Sequence, residues 1–159
     1  MDNLITPAYF HGLIEIPDSQ VNAELNTPSG DSVEVQRTRL ELAITEYQQE
    51  LLIRLFGSEV IPTECATILV RENILKSPIA DFAFCNIISE YQSQSTDGGE
   101  KIHSAQDSIN VNYSEKYNAI WNRMVKECRK IRLSLYYAGK YNNYPTDDCD
   151  EIYQLKSFV

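Results

Sequence analysis

Residues 117–138 read YNAIWNRMVKECRKIRLSLYYA, and their spacing decides the fold. Tyr117, Trp121, Met124, Cys128, Ile131, Leu135 and Ala138 recur at intervals of three or four. That period places them along one side of an α-helix. Ile120 and Val125 widen the stripe, Ser114 is placed to cap the helix, and Gly139, Asn142, Asn143 and Pro145 end it. Arg123, Lys126 and Lys130 fall off the stripe and are expected on a solvated face. A stripe of aromatic, Met and aliphatic residues must be covered by another apolar element.

That cover is legible upstream. After Ser77-Pro78, a cap followed by a first-turn proline, come Ile79, Phe82, Ala83, Phe84, Cys85, Ile87 and Ile88, with Asp81 in the first turn. Ending near Tyr91, this helix is apolar almost all round and is expected at the centre of the body. An earlier helix is predicted from Thr38 to Phe56. Leu40, Ile44, Tyr47, Leu51 and Leu55 share its inner face, and Thr38 with Glu41 has capping-box spacing. Gly57 stops it. Glu46, Gln49, Glu50 and Arg54 lie on the wet side, where Glu50 and Arg54 are spaced to pair. Between residues 58 and 70, Pro62 suits the first turn of a short helix with Ile61 beneath it. Ile68-Leu69-Val70 suits a strand equally, and periodicity does not choose. The fold class is therefore mainly α: a small bundle of three to four helices over residues 37–142.

Three segments fall outside this pattern. Residues 1–36 read as an extended arm, because Leu4-Ile5-Thr6 and Leu13-Ile14-Glu15-Ile16 each stop at a proline. Val33 and Val35 alternate with polar residues as in a short strand. Residues 93–112 read as a projecting loop or β-ribbon, with a turn at Asp97-Gly98-Gly99 and apolar positions at Ile102 and Ile109. Residues 143–159 form a tail whose end carries Tyr153, Leu155 and Phe158. Segments so polar gain order by lying on other molecules, which makes Asp97, Ile102, Ile109, Tyr153, Leu155 and Phe158 the expected partner contacts. Charge follows the same division. Residues 1–36 hold six acids and no Lys or Arg, residues 113–140 seven bases against two acids, and residues 141–159 four acids against one base. An acid–base–acid chain can pair within itself or head to tail between copies.

Composition and motifs exclude much. At 159 residues the chain is one domain. A net charge of −9 argues against a general nucleic-acid clamp, which displaces counterions with bases. No apolar run is long enough for a membrane span, and residues 1–12 carry no basic stretch of a secretory signal. Cys65, Cys85, Cys128 and Cys149 show no close pairing, so they are expected as reduced thiols, three of them core hydrophobes, rather than zinc ligands. His11 and His103 are expected at the surface. The chain has no phosphate-binding glycine motif, no H-E-x-x-H and no set for nucleophilic catalysis. Residues 147–151 lack the glycine and terminal glutamate of a calcium loop, and nothing singles out two of Asp81, Glu72 and Glu90 as a carboxylate pair. Catalytic, cofactor-binding and metal-ligating residues are thus expected to be none.

The order of parts carries a resemblance. A Leu4-Ile5-Thr6 opening precedes a helix reading Leu40-Glu41-Leu42-Ala43-Ile44…Tyr47…Glu50-Leu51-Leu52…Leu55-Phe56-Gly57. A buried aromatic helix, Phe82-Ala83-Phe84-Cys85…Tyr91, follows. After a long polar loop, Tyr117-Asn118-Ala119-Ile120-Trp121-Asn122 opens the last helix. Over about residues 38–140 this layout resembles the head–tail connector (adaptor) proteins of tailed bacteriophages, of the kind found in phages of Bacteroidetes. The resemblance implies a non-enzymatic helical subunit, without cofactor, in a ring of commonly twelve copies beneath the portal protein. Such a ring joins portal to tail at the virion neck and surrounds the channel through which DNA leaves without specific binding. The runner-up reading is a small acidic phage regulator or inhibitor occupying one host or phage partner.

Overall fold

The computed structural model describes residues 2–16, 33–95 and 113–144. Among them are four α-helices: α1 (Val33–Phe56), α2 (Thr63–Leu69), α3 (Pro78–Ser95) and α4 (Tyr113–Tyr137). The α3 helix is the central layer, packed against α1 on one side and α4 on the other, and α2 lies on α4. Its residues Ile79, Ala80, Phe82, Ala83, Phe84, Cys85 and Ile87 are all buried, as an all-round apolar helix requires. From α1 the core takes Leu40, Ile44, Tyr47, Leu51, Leu52, Leu55 and Phe56. From α4 it takes Ile120, Trp121, Met124, Val125, Cys128, Ile131 and Leu135. Each Leu or Ile so buried contributes about 1.5–3 kcal/mol. Phe82 lies where the three helices meet, its ring 6.3 Å from Tyr47 and 6.0 Å from Trp121.

The helix ends follow from local chemistry. Gly57, at φ +69°, donates its N–H to Ile53 O at 2.7 Å and stops α1. Gly139, also at φ +69°, donates to Tyr136 O while Lys140 N donates to Leu135 O, a Schellman closure of α4. Ala138, expected at the end of the buried stripe, is consequently beyond the helix and exposed. Ser77 caps α3 through Oγ, which accepts from Ile79 N at 3.1 Å. The 58–70 ambiguity resolves as a helix: extended Pro62 stands just before α2, whose Cys65 and Leu69 are buried.

Several expectations are corrected. Thr38 does not cap α1. The helix begins at Val33, so Val33 and Val35 are helical rather than a strand. Glu34, Gln36 and Arg37 are good helix formers, and extending an existing helix is easier than starting one. The α3 helix runs to Ser95, so the expected loop loses its first three residues. Over residues 2–16 the extended arm is replaced by two 3₁₀ turns, Pro7–Tyr9 and Gly12–Ile14, that bury Ile5, Tyr9, Phe10, Ile14 and Ile16 in the same core. Polar groups on α1 hold them there. Leu4 N donates to the buried Gln48 Oε1 at 2.7 Å, Asn3 Nδ2 donates to Glu41 O at 3.2 Å, and Thr45 Oγ1 donates to Asn3 Oδ1 at 2.8 Å. Residues 17–32 of the expected arm, the ribbon positions Ile102 and Ile109, and residues 145–159 of the expected tail lie outside the described residues.

Candidate functional site

Two features concentrate polar chemistry. The first is a cleft where residues 9–14, the 71–77 connection, the start of α3 and the middle of α4 converge. The connection is a tight turn. Arg71 and Lys76 exchange backbone hydrogen bonds of 3.1 and 3.3 Å, and Leu75 closes the turn in the left-handed region at φ +48°. His11 Nε2 reaches Leu75 O at 3.1 Å from the exposed surface, where His11 was expected. Asp81, 5% exposed, occupies the first turn of α3. Its carboxylate accepts from Arg123 Nε at 2.8 Å and Nη2 at 2.5 Å, a fork-on-fork pair between α3 and α4. Arg123 is therefore half-buried and committed, not on the solvated face expected of it. One turn on, Glu127 accepts from Arg71 and from Lys130, the latter at 2.7 Å, and ties the connection to α4.

Burial pushes the Asp81 carboxyl above its ordinary value, and the Arg123 guanidinium pulls part of the way back. Arg123 is held above its own ordinary value by the hydrogen bond to Asp81. The two groups satisfy each other, which makes the pair a brace rather than a reactive dyad. The cleft above it is about 60 Å³, far below the roughly 300–1,000 Å³ of small-molecule sites.

The buried thiols do not add chemistry. Cys65, Cys85 and Cys128 are free and buried. Burial pushes Cys65 up to about 11 and Cys85 up to about 12, so neither is a thiolate near neutrality. Cys149 lies outside the described residues, among which no group of three metal-ligating side chains occurs.

The second feature is the side of α4 that turns away from the core. Lys126, Lys130, Leu133 and Tyr137 recur at intervals of four, three and four, with Arg129 and Tyr136 beside them, half a turn from the buried stripe. Leu133 is 53% exposed, Tyr136 66% and Tyr137 83%. The Tyr136 ring packs edge-on against Tyr137 at 5.8 Å and Tyr141 at 6.5 Å, so the aromatics form one patch. Lys140 borders it, paired at 2.5 Å with Glu64, whose carboxyl it holds below the ordinary value. Large apolar rings gathered on a surface beside bases are unusual enough to mark a contact region.

The contact residues expected from sequence, Asp97, Ile102, Ile109, Tyr153, Leu155 and Phe158, lie outside the described residues. Leu133, Tyr136 and Tyr137 were missed although their signal was present: a second stripe on the same helix, offset from the first. No protein-family model, curated protein or solved structure matches this chain.

Proposed function

We propose that the chain is a structural subunit of a head–tail connector ring, joining a phage portal to the tail around the DNA exit channel. The observation that carries this reading is the order and packing of the helices. An aromatic, all-round apolar α3 is sandwiched between α1 and α4, in the sequence order on which the resemblance rests. The exposed Leu133–Tyr136–Tyr137 patch supports it, because a subunit of an assembly keeps apolar surface for its neighbours. So does the brace chemistry of the cleft, where Asp81 pairs with Arg123 and Glu127 with Arg71 and Lys130. No described helix is long and apolar enough to cross a membrane. On this reading the ring of commonly twelve copies assembles in the bacterial cytoplasm, resides at the virion neck, and passes DNA without binding it specifically. Its role needs no catalysis or cofactor.

The test is composition. Mass spectrometry of purified virions is expected to find the chain at a fixed ratio to the portal, and light scattering is expected to show it joining purified portal. Absence from virions, together with tight pairing to a single host or phage protein, would refute the connector and favour the inhibitor reading.

A further inference from the structure

We infer that residues 2–16 are an intramolecular ligand, a peptide strap seated in an apolar groove of the helical body. The strap lifts as a unit and bares a docking surface for an apolar peptide of its own kind. The inference goes beyond the connector reading and does not depend on it.

The groove is seen with its occupant in place. The Pro7–Tyr9 turn rests on α1 and the Gly12–Ile14 turn on α3 and α4, so the segment crosses all three long helices. Ile5, Tyr9, Phe10, Ile14 and Ile16 are each at most 5% exposed, while Thr6, His11, Gly12 and Leu13 between them are exposed. Spaced apolar anchors separated by outward residues are the pattern of a peptide lying in a groove.

The body also engages the segment's main chain. Gln48 on α1 is 1% exposed, where an amide without partners is costly. Both of its described hydrogen bonds go to the strap's backbone. Oε1 accepts from Leu4 N at 2.7 Å, and Nε2 donates to Asp2 O at a longer 3.4 Å. An amide used at both ends in this way engages peptide main chain of any sequence, and the apolar anchors then supply the selection. One turn back on α1, Thr45 Oγ1 donates to Asn3 Oδ1 while Glu41 O accepts from Asn3 Nδ2. At the other end His11 Nε2 reaches Leu75 O.

Release leaves the body whole. The N–H groups of Tyr9, Phe10, His11, Ile14 and Glu15 all donate to carbonyls within the segment. Among the described residues the β-bridge joins Arg71 to Lys76, so no sheet ladder ties the strap to the helices. The α1, α3 and α4 helices carry their own backbone hydrogen bonds and pack on one another directly. Lifting residues 2–16 therefore costs side-chain contacts but no helical backbone, which defines a unit able to open below global unfolding. It also uncovers the cleft, which Tyr9, His11 and Ile14 line together with Asp81 and Arg123.

The full-length chain supplies the test. In native-state amide exchange of the wild type, residues 4–16 are expected to open at least about a hundredfold more often than residues 82–87 of α3. Fluorescence anisotropy then follows a labelled synthetic peptide of residues 1–16. A strap tied to its own groove competes at an effective concentration on the order of mM, so the peptide should bind the wild type weakly. It should bind at least about tenfold more tightly to the variant Ile5→Asp with Phe10→Ser, which spoils the strap and leaves the groove intact. Adding Gln48→Leu to that variant should weaken binding about tenfold. A scrambled peptide of the same composition should not bind. Exchange of residues 4–16 only together with α3 overturns the inference, as does loss of helical circular dichroism in the strap variant. So does a peptide that ignores the strap variant, binds the wild type equally well, is matched by its scrambled form, or is indifferent to Gln48→Leu. Virion composition, which decides the connector reading, is independent of each of these outcomes.

Discussion

Removing Arg123 while leaving Asp81 is the sharpest probe of the body. Arg123→Met keeps the aliphatic stem and takes away both hydrogen bonds to a carboxylate whose side chain is 7% exposed. Breaking a buried pair from one side costs about 3–5 kcal/mol, because the remaining charge is left without a partner. Arg123 itself is 35% exposed, so water enters where its guanidinium stood, and the expected loss is lowered to about 2–3 kcal/mol. For a chain of this size that is a fall in melting temperature of roughly 5–10 °C. Asp81→Asn alone leaves its unpaired charge on the more exposed partner and should cost about 1 kcal/mol. Adding Asp81→Asn to Arg123→Met removes the stranded carboxylate and should recover about half of the loss. The pH dependence has a defined sign. The folded Asp81 carboxyl lies above its unfolded value, so its contribution to stability is greatest below the unfolded value and declines as pH rises through the folded one. Without Arg123 that folded value rises further. The Arg123→Met penalty is therefore expected to be largest at neutral pH and to shrink in mild acid. Urea unfolding followed by circular dichroism at both pH values measures it. A loss under about 0.5 kcal/mol, or one that grows in acid, would refute the brace.

Four further outcomes follow from the same contacts. Gln48→Leu leaves Leu4 N–H without its side-chain acceptor and should cost about 1–3 kcal/mol, with faster amide exchange confined first to residues 2–16. Gly139→Ala meets no atom within 4 Å at its new Cβ and pays only for its left-handed backbone, about 1–2 kcal/mol in chemical unfolding. Trp121→Phe should cost well under the roughly 3–5 kcal/mol of Trp121→Ala, since the indole N–H has no hydrogen-bond partner among the described residues. Cys65, Cys85 and Cys128 should resist iodoacetamide in the native state and react in urea, as read by peptide mass spectrometry. Modification of Cys85 before unfolding would contradict its burial.

What could be read from sequence was what local spacing determines. The inner faces of α1 and α4, the all-round apolar α3 and the glycine stop at Gly57 each follow from residues within a few turns of one another. The missed features depend on partners far away in the chain. Leu4 is held by Gln48, 44 residues on, and His11 reaches Leu75, 64 residues on. Without those partners, Pro7 and Pro17 look like the ends of two extended pieces, so residues 2–16 read as part of an arm. Arg123 was misread for the same reason: its Cα lies off the buried stripe, but its long side chain carries the guanidinium to Asp81, 42 residues away. At Val33 and Val35 the alternation resembled a strand, yet it was too short to resist extension of a helix already stabilised by packing of Leu40 and Ile44. The Tyr136–Tyr137 patch is masked in the sequence by the stronger buried stripe of α4, since one helix can carry two faces with different purposes.

The arrangement of layers also limits how copies can meet. Because α3 is apolar almost all round, both α1 and α4 are needed to cover it. The described part of α1 and its exit, residues 39–59, carries Glu41, Glu46, Glu50 and Glu59 against Arg39 and Arg54. On α4 and its exit, residues 116–140 carry seven bases against Glu127. The two covering helices thus carry charge of opposite sign. Two α4 faces brought together about a twofold axis would set base against base, at a cost that grows as water is excluded. A symmetric dimer through this patch is therefore disfavoured by the same residues that make the patch attractive to an acidic partner. Under the proposed connector reading, copies would meet through unlike surfaces, which would leave one surface of each type open at either end until the rotation closes. Among the described residues the exposed Tyr136–Tyr137 cluster sits on this basic side, so the proposed ring would use it for contact with an unlike surface rather than with itself.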